Sequence, residues 1–353
     1  GLATPMSITV ALGRGAQAGV LVRDAAALER LAEANVLVLD KTGTLTEGRP
    51  VLREIVLTEG AGLDETRLLA LAAGIERASE HPLAAAILAA AEARGVAPGE
   101  GRAVEAVPGQ GIAGEVVLGQ QTHRVVLGNA AMLGGVPEAL ATHAARLQAE
   151  GATTVYLAVD GHTAGLIALA DPLRPGARET LEALEKTGLR LILATGDAEP
   201  TAQAVAAQAG LTEIHAALSP EGKAALVARL QAEGATVAMA GDGINDAPAL
   251  ATADVGLAIG SGADVAVESA AITLTGDLGA LVRARRLAKA ARANIRQNLA
   301  FAFLYNTAGV PVAAGVLYPL FGVLLSPMLA AAAMSLSSLS VIANALRLSR
   351  LKL

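Results

Sequence analysis

The chain has 353 residues, a formal net charge of −6, 53% hydrophobic and only 2% aromatic residues, and a mean hydropathy of +0.49. That length allows two or three domains, the apolar excess points to a part that lies in membrane, and an acidic chain poor in aromatics excludes a nucleic-acid surface of basic stripes and stacking rings. It has no cysteine, which excludes disulfides and any thiolate metal site within the chain.

Gly1 is preceded by no initiator Met and Leu2 by no charged segment, so the chain reads neither as a signal-peptide precursor nor as a natural N-terminus, but as a fragment. Residues 1–12 are apolar with Thr4-Pro5, about half of the roughly 20 residues a spanning helix needs. They read as the end of a truncated transmembrane helix or as a buried terminal helix, followed over 13–29 by a linker. From Asp24 to Ala34, Leu28 and Leu31 share a face among Arg23, Glu29, Arg30 and Glu33, which predicts a short amphipathic helix. Val36 to Leu39 is an apolar run of the kind that forms a buried parallel strand, so Asp40 is expected at its carboxyl end, where open α/β sheets place their ligand sites. A carboxylate there can act as a nucleophile, Gly43 lets the backbone turn tightly beside it, and Thr42 and Thr44 can receive phosphate oxygens.

Asp40-Lys41-Thr42-Gly43-Thr44-Leu45-Thr46 resembles the phosphorylation motif of the P-type ATPases, ion pumps that form an aspartyl phosphate from ATP. Gly1-Leu2-Ala3-Thr4-Pro5 resembles the stretch that closely follows the Cys-Pro-Cys transport motif in the heavy-metal pumps. The resemblance implies that this motif, the earlier helices and the actuator domain with its Thr-Gly-Glu loop lie outside the chain, which alone would not transport.

From 49 to 166 the pattern changes to short strands, glycine turns and two helical runs, read as an α+β domain inserted into the first. Ser79 and Pro82 suit the start of an alanine-rich helix, as cap and first-turn residue. Gly109-Gln110-Gly111-Ile112 and Gly128-Asn129 each follow a strand-like run. With Glu76 and His81 they match the nucleotide-binding set of the heavy-metal pumps: Glu76, His81, Gly109, Gly111, Ile112, Gly128 and Asn129. Glycines let backbone approach a flat adenine, while Glu76 and His81 supply polar contacts at its edge. No P-loop is present, so this domain would hold the base of ATP.

Residues 30–48 and 167–283 read as one discontinuous α/β phosphorylation domain. Asp171-Pro172-Leu173-Arg174-Pro175 stiffens the return crossing. Leu189 to Ala194 is a strand ending in Thr195-Gly196-Asp197; Pro220 and Lys223 open a helix; and Thr236 to Ala240 leads into Gly241-Asp242-Gly243-Ile244-Asn245-Asp246. Strands ending in Asp, Thr and Asp, with a Lys between the last two, resemble the haloacid dehalogenase superfamily. The resemblance implies that Asp40 attacks the γ-phosphoryl group and that Asp40, Thr42 and Asp242 hold Mg²⁺. Lys223 and Thr195 would offset charge on the transferring oxygens, with Lys41, Gly196, Asp197, Asn245 and Asp246 completing the catalytic set.

Residues 284–353 carry the membrane signal. Gln297 to Leu346 contains no Asp, Glu, Lys or Arg, room for two spanning helices of roughly 20 residues each, with Pro319 and Gly322 at the turn. Lys289, Arg292 and Arg296 before the pair and Arg347, Arg350 and Lys352 after it put both ends in the cytoplasm. Tyr305, Asn306, Met334 and Ser338 resemble the last two transmembrane helices of the copper(I) subgroup, and are expected to face the bundle interior on the Cu(I) path; a thioether suits that soft ion.

The resemblance thus implies a multi-pass membrane pump with cytoplasmic catalytic domains, driven by ATP and Mg²⁺ and exporting Cu(I) or Ag(I). Its partners would be ATP, Cu(I) delivered by a copper carrier, and the bilayer, with no nucleic acid. The rivals are a soluble phosphatase of the same superfamily, a pump for Zn²⁺, and a non-catalytic membrane subunit. A phosphatase usually has a second Asp two positions after the nucleophile, where this chain has Thr42. A zinc pump would carry a charged residue in the charge-free stretch, and a non-catalytic subunit would not need Asp40, Lys223 and Asp242 together.

Overall fold

The computed structural model describes residues 3–79, 82–242, 246–260, 270–316, 318–321 and 326–353. The chain begins with helix α1 (Ala3–Gln17), strand β1 (Val20–Val22) and helix α2 (Ala25–Glu33). Asp24 caps α2 by accepting a hydrogen bond from the Ala26 amide, and Leu28 and Leu31 are buried, as the amphipathic pattern requires. Strand β2 (Val36–Asp40) follows, buried along its whole length.

After the motif loop come β3 (Val51–Leu57), α3 (Glu65–Glu76), α4 (Pro82–Ala93), β4 (Glu100–Val107), β5 (Gly111–Leu118) and β6 (Gln121–Gly128). Helix α5 (Glu138–Ala149), β7 (Thr153–Val159) and β8 (His162–Ala170) complete that stretch. Alternation then sets in with α6 (Ala177–Glu185), β9 (Arg190–Ala194), α7 (Glu199–Ala209) and β10 (Ile214–His215). It continues with α8 (Pro220–Ala232), β11 (Val237–Gly241), α9 (Ala247–Thr252), β12 (Val255–Ile259) and β13 (Ile272–Leu274). The last elements are α10 (Ala280–Ala313), the short α11 (Tyr318–Phe321), α12 (Pro327–Leu346) and a 3₁₀ turn (Arg347–Arg350).

The chain divides into two compact units, the first being Gly1–Asp40, Pro175–Ile192 and Pro220–Leu353 and the second Lys41–Arg174 and Leu193–Ser219. In the first, the strands run in the order β1-β13-β12-β11-β2-β9. β2, β11, β12 and β13 are parallel, and β1 closes the edge antiparallel to β13. Every residue of β2, β11 and β12 is buried, which is why these strands read as continuous apolar runs rather than alternations. β2 and β11 pair in register from Val36 with Val237 to Leu39 with Ala240, so Asp40 and Gly241 leave the sheet at the same edge.

In the second unit the strands form an antiparallel sheet in the order β3-β8-β7-β6-β5-β4. Successive residues of β7 and β8 supply opposite faces: Leu157, Ile167 and Leu169 pack with α3 and α4, whereas Tyr156, Leu166 and Ala168 pack with Leu140, Ala144 and Leu147 of α5. The stretch therefore holds three helices, not the two expected. α5 escapes a sequence reading because its buried stripe is only Leu140, Ala144 and Leu147, among polar residues and other alanines. The Leu193–Ala194 end of β9 pairs with β10, beside α7.

The C-terminal part also differs from expectation. Among the described residues one stretch, Ala331–Arg350, is long and apolar enough to cross a membrane, where two were expected. α10 is one helix whose first half carries Arg283, Arg285, Arg286, Lys289, Arg292 and Arg296, and whose later part includes Gln297, Asn298, Asn306 and Pro311. These residues lower its apolarity, although no charge follows Arg296. Its first half is bound to the α/β layer: the Arg285 guanidinium donates to the carbonyls of Leu31 and Ala34 at the end of α2, and Arg292 pairs with Glu33 at 2.7 Å.

Leu39 is fully buried in the centre of the sheet. Leu39→Ala is expected to destabilise the protein by about 2–5 kcal/mol, the usual range for a buried leucine truncation. Urea titration in detergent followed by circular dichroism reads this, and a loss under about 1 kcal/mol would contradict a packed environment for β2.

Candidate functional site

Three short sequences converge at the carboxyl edge of the first unit's sheet. Asp40 ends β2, Asp242 follows β11, and Asp246 immediately precedes α9. Lys223 comes from the first turn of α8, where Pro220 opens the helix. Its ammonium lies 2.5 Å from Asp40 Oδ1 and 2.7 Å from Asp246 Oδ1, with all three side chains buried. Gly241 is required by this closeness, since a Cβ there would sit 2.4 Å from Asp246 Oδ2.

One cation against three carboxylates leaves negative charge in excess. Burial first, then the charge of Asp246, pushes the Asp40 carboxyl up to about 7, against the pull of Lys223; Asp242 adds to the rise. Burial works against the Lys223 ammonium, but Asp40 and Asp246 together hold its pKa above the ordinary lysine value. Asp246 Oδ2 is buried with no hydrogen-bond partner among the described residues. Hard oxygen donors and surplus negative charge suit a divalent cation such as Mg²⁺. Among the described residues no group of three or more His, Cys, Asp or Glu is placed to cage a metal. Mg²⁺ does not need such a cage, since it is commonly held by one or two carboxylates with substrate phosphates and water, and Asp40 with Asp242 fits that pattern.

In the second unit, Lys41 to Leu45 forms a tight turn in which Thr42 is extended (φ −74°, ψ 129°) and Gly43 is left-handed (φ 71°), a conformation that costs glycine nothing. Lys41 is buried and ion-paired with Asp197. Thr44 Oγ1 is buried without a partner among the described residues, and Thr195 is buried with its Oγ1 accepting from the Asp197 amide at 3.2 Å. Gly196 is confined: a Cβ there would lie 3.3 Å from the Leu218 carbonyl. The turn is clamped by residues read above only as a stiff crossing. Arg174 donates to the carbonyls of Gly43 (2.6 Å) and Thr46 (3.1 Å), and Thr46 Oγ1 lies 2.6 Å from Asp171 Oδ2.

The same unit holds a cavity of about 440 Å³ lined by Glu76, Gly109, Gly111, Ile112, Gly128 and Asn129, a size within the usual range for small-ligand sites. Gly111 and Gly128 face each other in the β5–β6 pair. A Cβ on Gly111 would lie 2.2 Å from the Leu127 carbonyl, and one on Gly128 2.5 Å from the Gln110 carbonyl. Asn129 ties the two glycine turns together, with its Nδ2 donating to the Gly109 carbonyl at 3.1 Å and its amide to that of Gln110 at 2.9 Å. Ser79, Leu83, Thr153, Thr154 and Val155 also line the cavity. Their only sequence signal is the pair of hydroxyl residues opening β7.

Two expected site residues, His81 and Asn245, lie outside the described residues, as does the side chain of Asn306. Tyr305 on α10 and Met334 and Ser338 on α12 are exposed, so this chain does not gather them into its interior. Among the described residues, the polar side chains buried on α1, α10 and α12 are Ser7, Arg285, Asn294, Asn298 and Asn344.

Comparison with known proteins agrees with this geometry. The sequence model of the haloacid dehalogenase-like hydrolases matches residues 34–254. A copper-transporting P-type ATPase of Rhizobium leguminosarum bv. viciae is 57% identical over 357 residues, covering 100% of this chain and 42% of that protein. A silver exporting P-type ATPase of Salmonella typhimurium is 51% identical, covering 100% and 43%. The chain thus spans less than half the length of these curated relatives. Among solved structures, a zinc-transporting PIB-type ATPase in an E2.Pi state superposes with a TM-score of 0.83 at 37% identity, over 98% of this chain and 55% of that one. The catalytic domain of the CPx-ATPase CopB-B, from a structure describing its conformational changes upon nucleotide binding, matches with a TM-score of 0.59 at 26% identity, over 79% of this chain and 98% of that one.

The Lys223 cluster predicts strong non-additivity. Lys223→Met, which leaves two buried carboxylates unpaired, is expected to cost about 3–5 kcal/mol. Adding Asp246→Asn should recover about 1–3 kcal/mol of that loss in a double-mutant cycle. Additive losses in denaturant titration would show that the three groups do not share one charge balance.

Proposed function

We propose, from the premise that the chain belongs to the haloacid dehalogenase-like hydrolase family, that it is the catalytic part of a P-type ATPase exporting a heavy-metal ion, with Asp40 as the residue phosphorylated by ATP. The observation that carries this reading is Asp40 at the end of a fully buried parallel strand, with Lys223 2.5 Å away.

In this reading the base of ATP occupies the Glu76–Asn129 cavity, where the glycines leave room for a flat ring and Glu76 offers a polar edge. An Asp40 oxygen attacks the γ-phosphorus, the bond from that phosphorus to the β–γ bridging oxygen breaks, and ADP leaves with the electron pair. The Lys223 ammonium, already between Asp40 and Asp246, offsets charge on the transferring oxygens, as Thr195 does by hydrogen bonding. Asp40, Thr42 and Asp242 would hold Mg²⁺, which when bound supplies further charge neutralisation on the phosphate oxygens. Lys41, paired with Asp197, and Arg174, which grips the turn, keep the motif in shape. Thr42 stands where a phosphatase of this family has its acid–base Asp. Without that group, ordinarily worth about 10²–10⁴ in rate, the aspartyl phosphate lives longer, as a pump requires and a phosphatase does not.

For the ion, we infer Cu(I) or Ag(I), supplied to the membrane pump by a metal carrier. The relatives over 50% identical carry copper or silver in their names, and residues 297–346 have no charged side chain for a divalent ion. The zinc-transporting structural neighbour supports the pump architecture and makes Zn²⁺ the alternative to be tested.

Two measurements test the proposal in the full-length protein. With γ-labelled ATP and Mg²⁺, the parent should form an acid-stable, hydroxylamine-labile label that Asp40→Asn lacks; equal labelling of the variant removes Asp40 from the role. Met334→Leu keeps size and apolarity, costing under about 1.5 kcal/mol as a near-isosteric change, but removes the sulfur. It should express normally and need more Cu(I) for half-maximal phosphorylation. Parental Cu(I) response in this variant, or equal activation of the parent by Zn²⁺, would overturn the copper assignment while leaving the phosphorylation chemistry intact.

A further inference from the structure

Within the first unit, α1, α10 and α12 pack against one another, and their shared interface contains a polar knot. Ser7 of α1 and Asn298 of α10 are 0% exposed, and Asn294 of α10 and Asn344 of α12 are 5% exposed. Ser7 Oγ donates to Asn294 Oδ1 at 2.8 Å and accepts from Asn298 Nδ2 at 2.9 Å, which joins α1 to α10. Asn344 Nδ2 donates to Asn298 Oδ1 at 2.9 Å, and Asn294 Nδ2 donates to the Asn344 carbonyl at 2.8 Å, which joins α10 to α12. Arg347 donates to Asn344 Oδ1 at 3.0 Å, placing a cation at the rim of the knot.

The surroundings explain why such a knot decides something. α12 carries Ala330 to Ala333, Ser335, Ser337, Ser338 and Ser340, and small residues present shallow ridges that fix the axial position of a neighbouring helix weakly. Hydrogen bonds are steep in distance, and a slide by one helical turn, about 5.4 Å, breaks all of those between helices. Each buried amide left unpaired then carries a desolvation penalty that apolar packing does not return. The knot, rather than the apolar contacts, therefore holds the register.

We propose that Ser7, Asn294, Asn298 and Asn344 are positioning residues that set the axial register of α1, α10 and α12 and thereby the ion preference of the pump, an inference that rests on the pump reading above. Tyr305 and Asn306 follow Asn298 by seven and eight residues, about 10–12 Å along α10, and Ser338 precedes Asn344 by six, about 9 Å along α12. α10 runs away from the knot and α12 runs back toward it. The knot thus brings Tyr305, Asn306 and Ser338 to about the same level, with Met334 one turn further along α12, about 15 Å from Asn344, and a register slip of one turn changes those offsets by more than the length of any metal–ligand bond. α10 also reaches the other way: Arg285, thirteen residues before Asn298, holds the end of α2 just ahead of the Asp40 strand.

The chain has no cysteine, so every cross-link found between peptides of residues 1–353 comes from an introduced pair, and thiols of an upstream Cys-Pro-Cys motif are told apart by the peptides they join. Single cysteines along 299–303 of α10 paired with single cysteines along 337–341 of α12, in the full-length protein in membranes, should give one cross-linking pattern in the parent. In Asn298→Leu the pattern should move by three or four positions or lose its maximum; an unchanged pattern overturns the lock. Metal-activated phosphorylation is followed in parallel. Ser7→Ala, which removes two of the bonds with little change in volume and keeps the test decisive where Asn298→Leu fails to fold, should raise the half-maximal Cu(I) by about tenfold while maximal phosphorylation changes under about twofold, and Ser7→Thr should restore the parental value. A fall in maximal phosphorylation with the half-maximal Cu(I) unchanged, or a Ser7→Thr variant that behaves as Ser7→Ala does, assigns the knot a merely structural role and overturns the proposal. A parent that answers to no metal sinks the pump reading instead, and the cross-linking pattern still decides the register.

Discussion

The candidate chemistry of this chain depends on one buried ammonium. Lys223 is held between Asp40 and Asp246, and removing it would leave like charges facing each other in a site with little water to screen them. The sheet is what makes the arrangement possible. β2 and β11 are neighbours in parallel register, so the carboxylates that follow them emerge together, and the first turn of α8 brings the lysine to the same edge. Gly241 has no side chain for the same reason: Asp246 occupies the space a Cβ would need. Local sequence, strand order and electrostatics are therefore not separate features here. Each is a condition for keeping a reactive carboxylate buried and still short of full neutralisation.

A second constraint follows from placing a whole α+β region directly after Asp40. An insertion is tolerated when its ends lie close together, because the parent fold then feels only a short closed loop. Thr46 and Leu173 form a β-bridge, and Asp171 and Arg174 bond back to Thr46 and Gly43. The chain thus leaves and returns through one clamp, and the clamp also holds the turn that carries Thr42 and Thr44. Beyond it the inserted sheet can be covered on both faces and shaped for its own purpose, with Gly111 opposite Gly128 opening a cavity that any side chain at either place would fill.

Much of this was legible in the sequence, for identifiable reasons. The strands β2, β9 and β11 are buried on both faces and so appear as unbroken apolar runs, and the polar residues that end them stand out. α2 was legible from Leu28 and Leu31 at helical spacing. α5 was not, because its buried stripe is built from two leucines and an alanine in an alanine-rich stretch. The clamp was invisible because it joins Gly43 to Arg174, 131 positions apart, and nothing local to either predicts the other. The polar knot is the extreme case: Ser7 and Asn298 are separated by 291 positions, and each alone reads as an ordinary small or amide residue in an apolar helix. Of the two expected membrane spans, one is long and apolar enough among the described residues; the other expected span is blunted by Gln297, Asn298 and Asn306 in the charge-free part of α10.

The comparisons separate two properties that a family name tends to merge. A zinc-transporting structure superposes on 98% of this chain with a TM-score of 0.83, while relatives named for copper and silver share more of its sequence. The backbone is thus common to proteins named for different ions, and a fold shared in this way cannot itself select among them. Nor can the proposed phosphorylation site, whose hard oxygens and buried ammonium suit phosphate whatever ion is carried. If the chain serves a pump, its own share of the selection rests on a small number of side chains on α1, α10 and α12, and on how those helices are held relative to one another. Small residues bring helices close but leave their axial position weakly determined. An interface of this kind needs directional bonds to give a soft ion one geometry rather than several, and among the described residues Ser7, Asn294, Asn298 and Asn344 supply such bonds between these three helices.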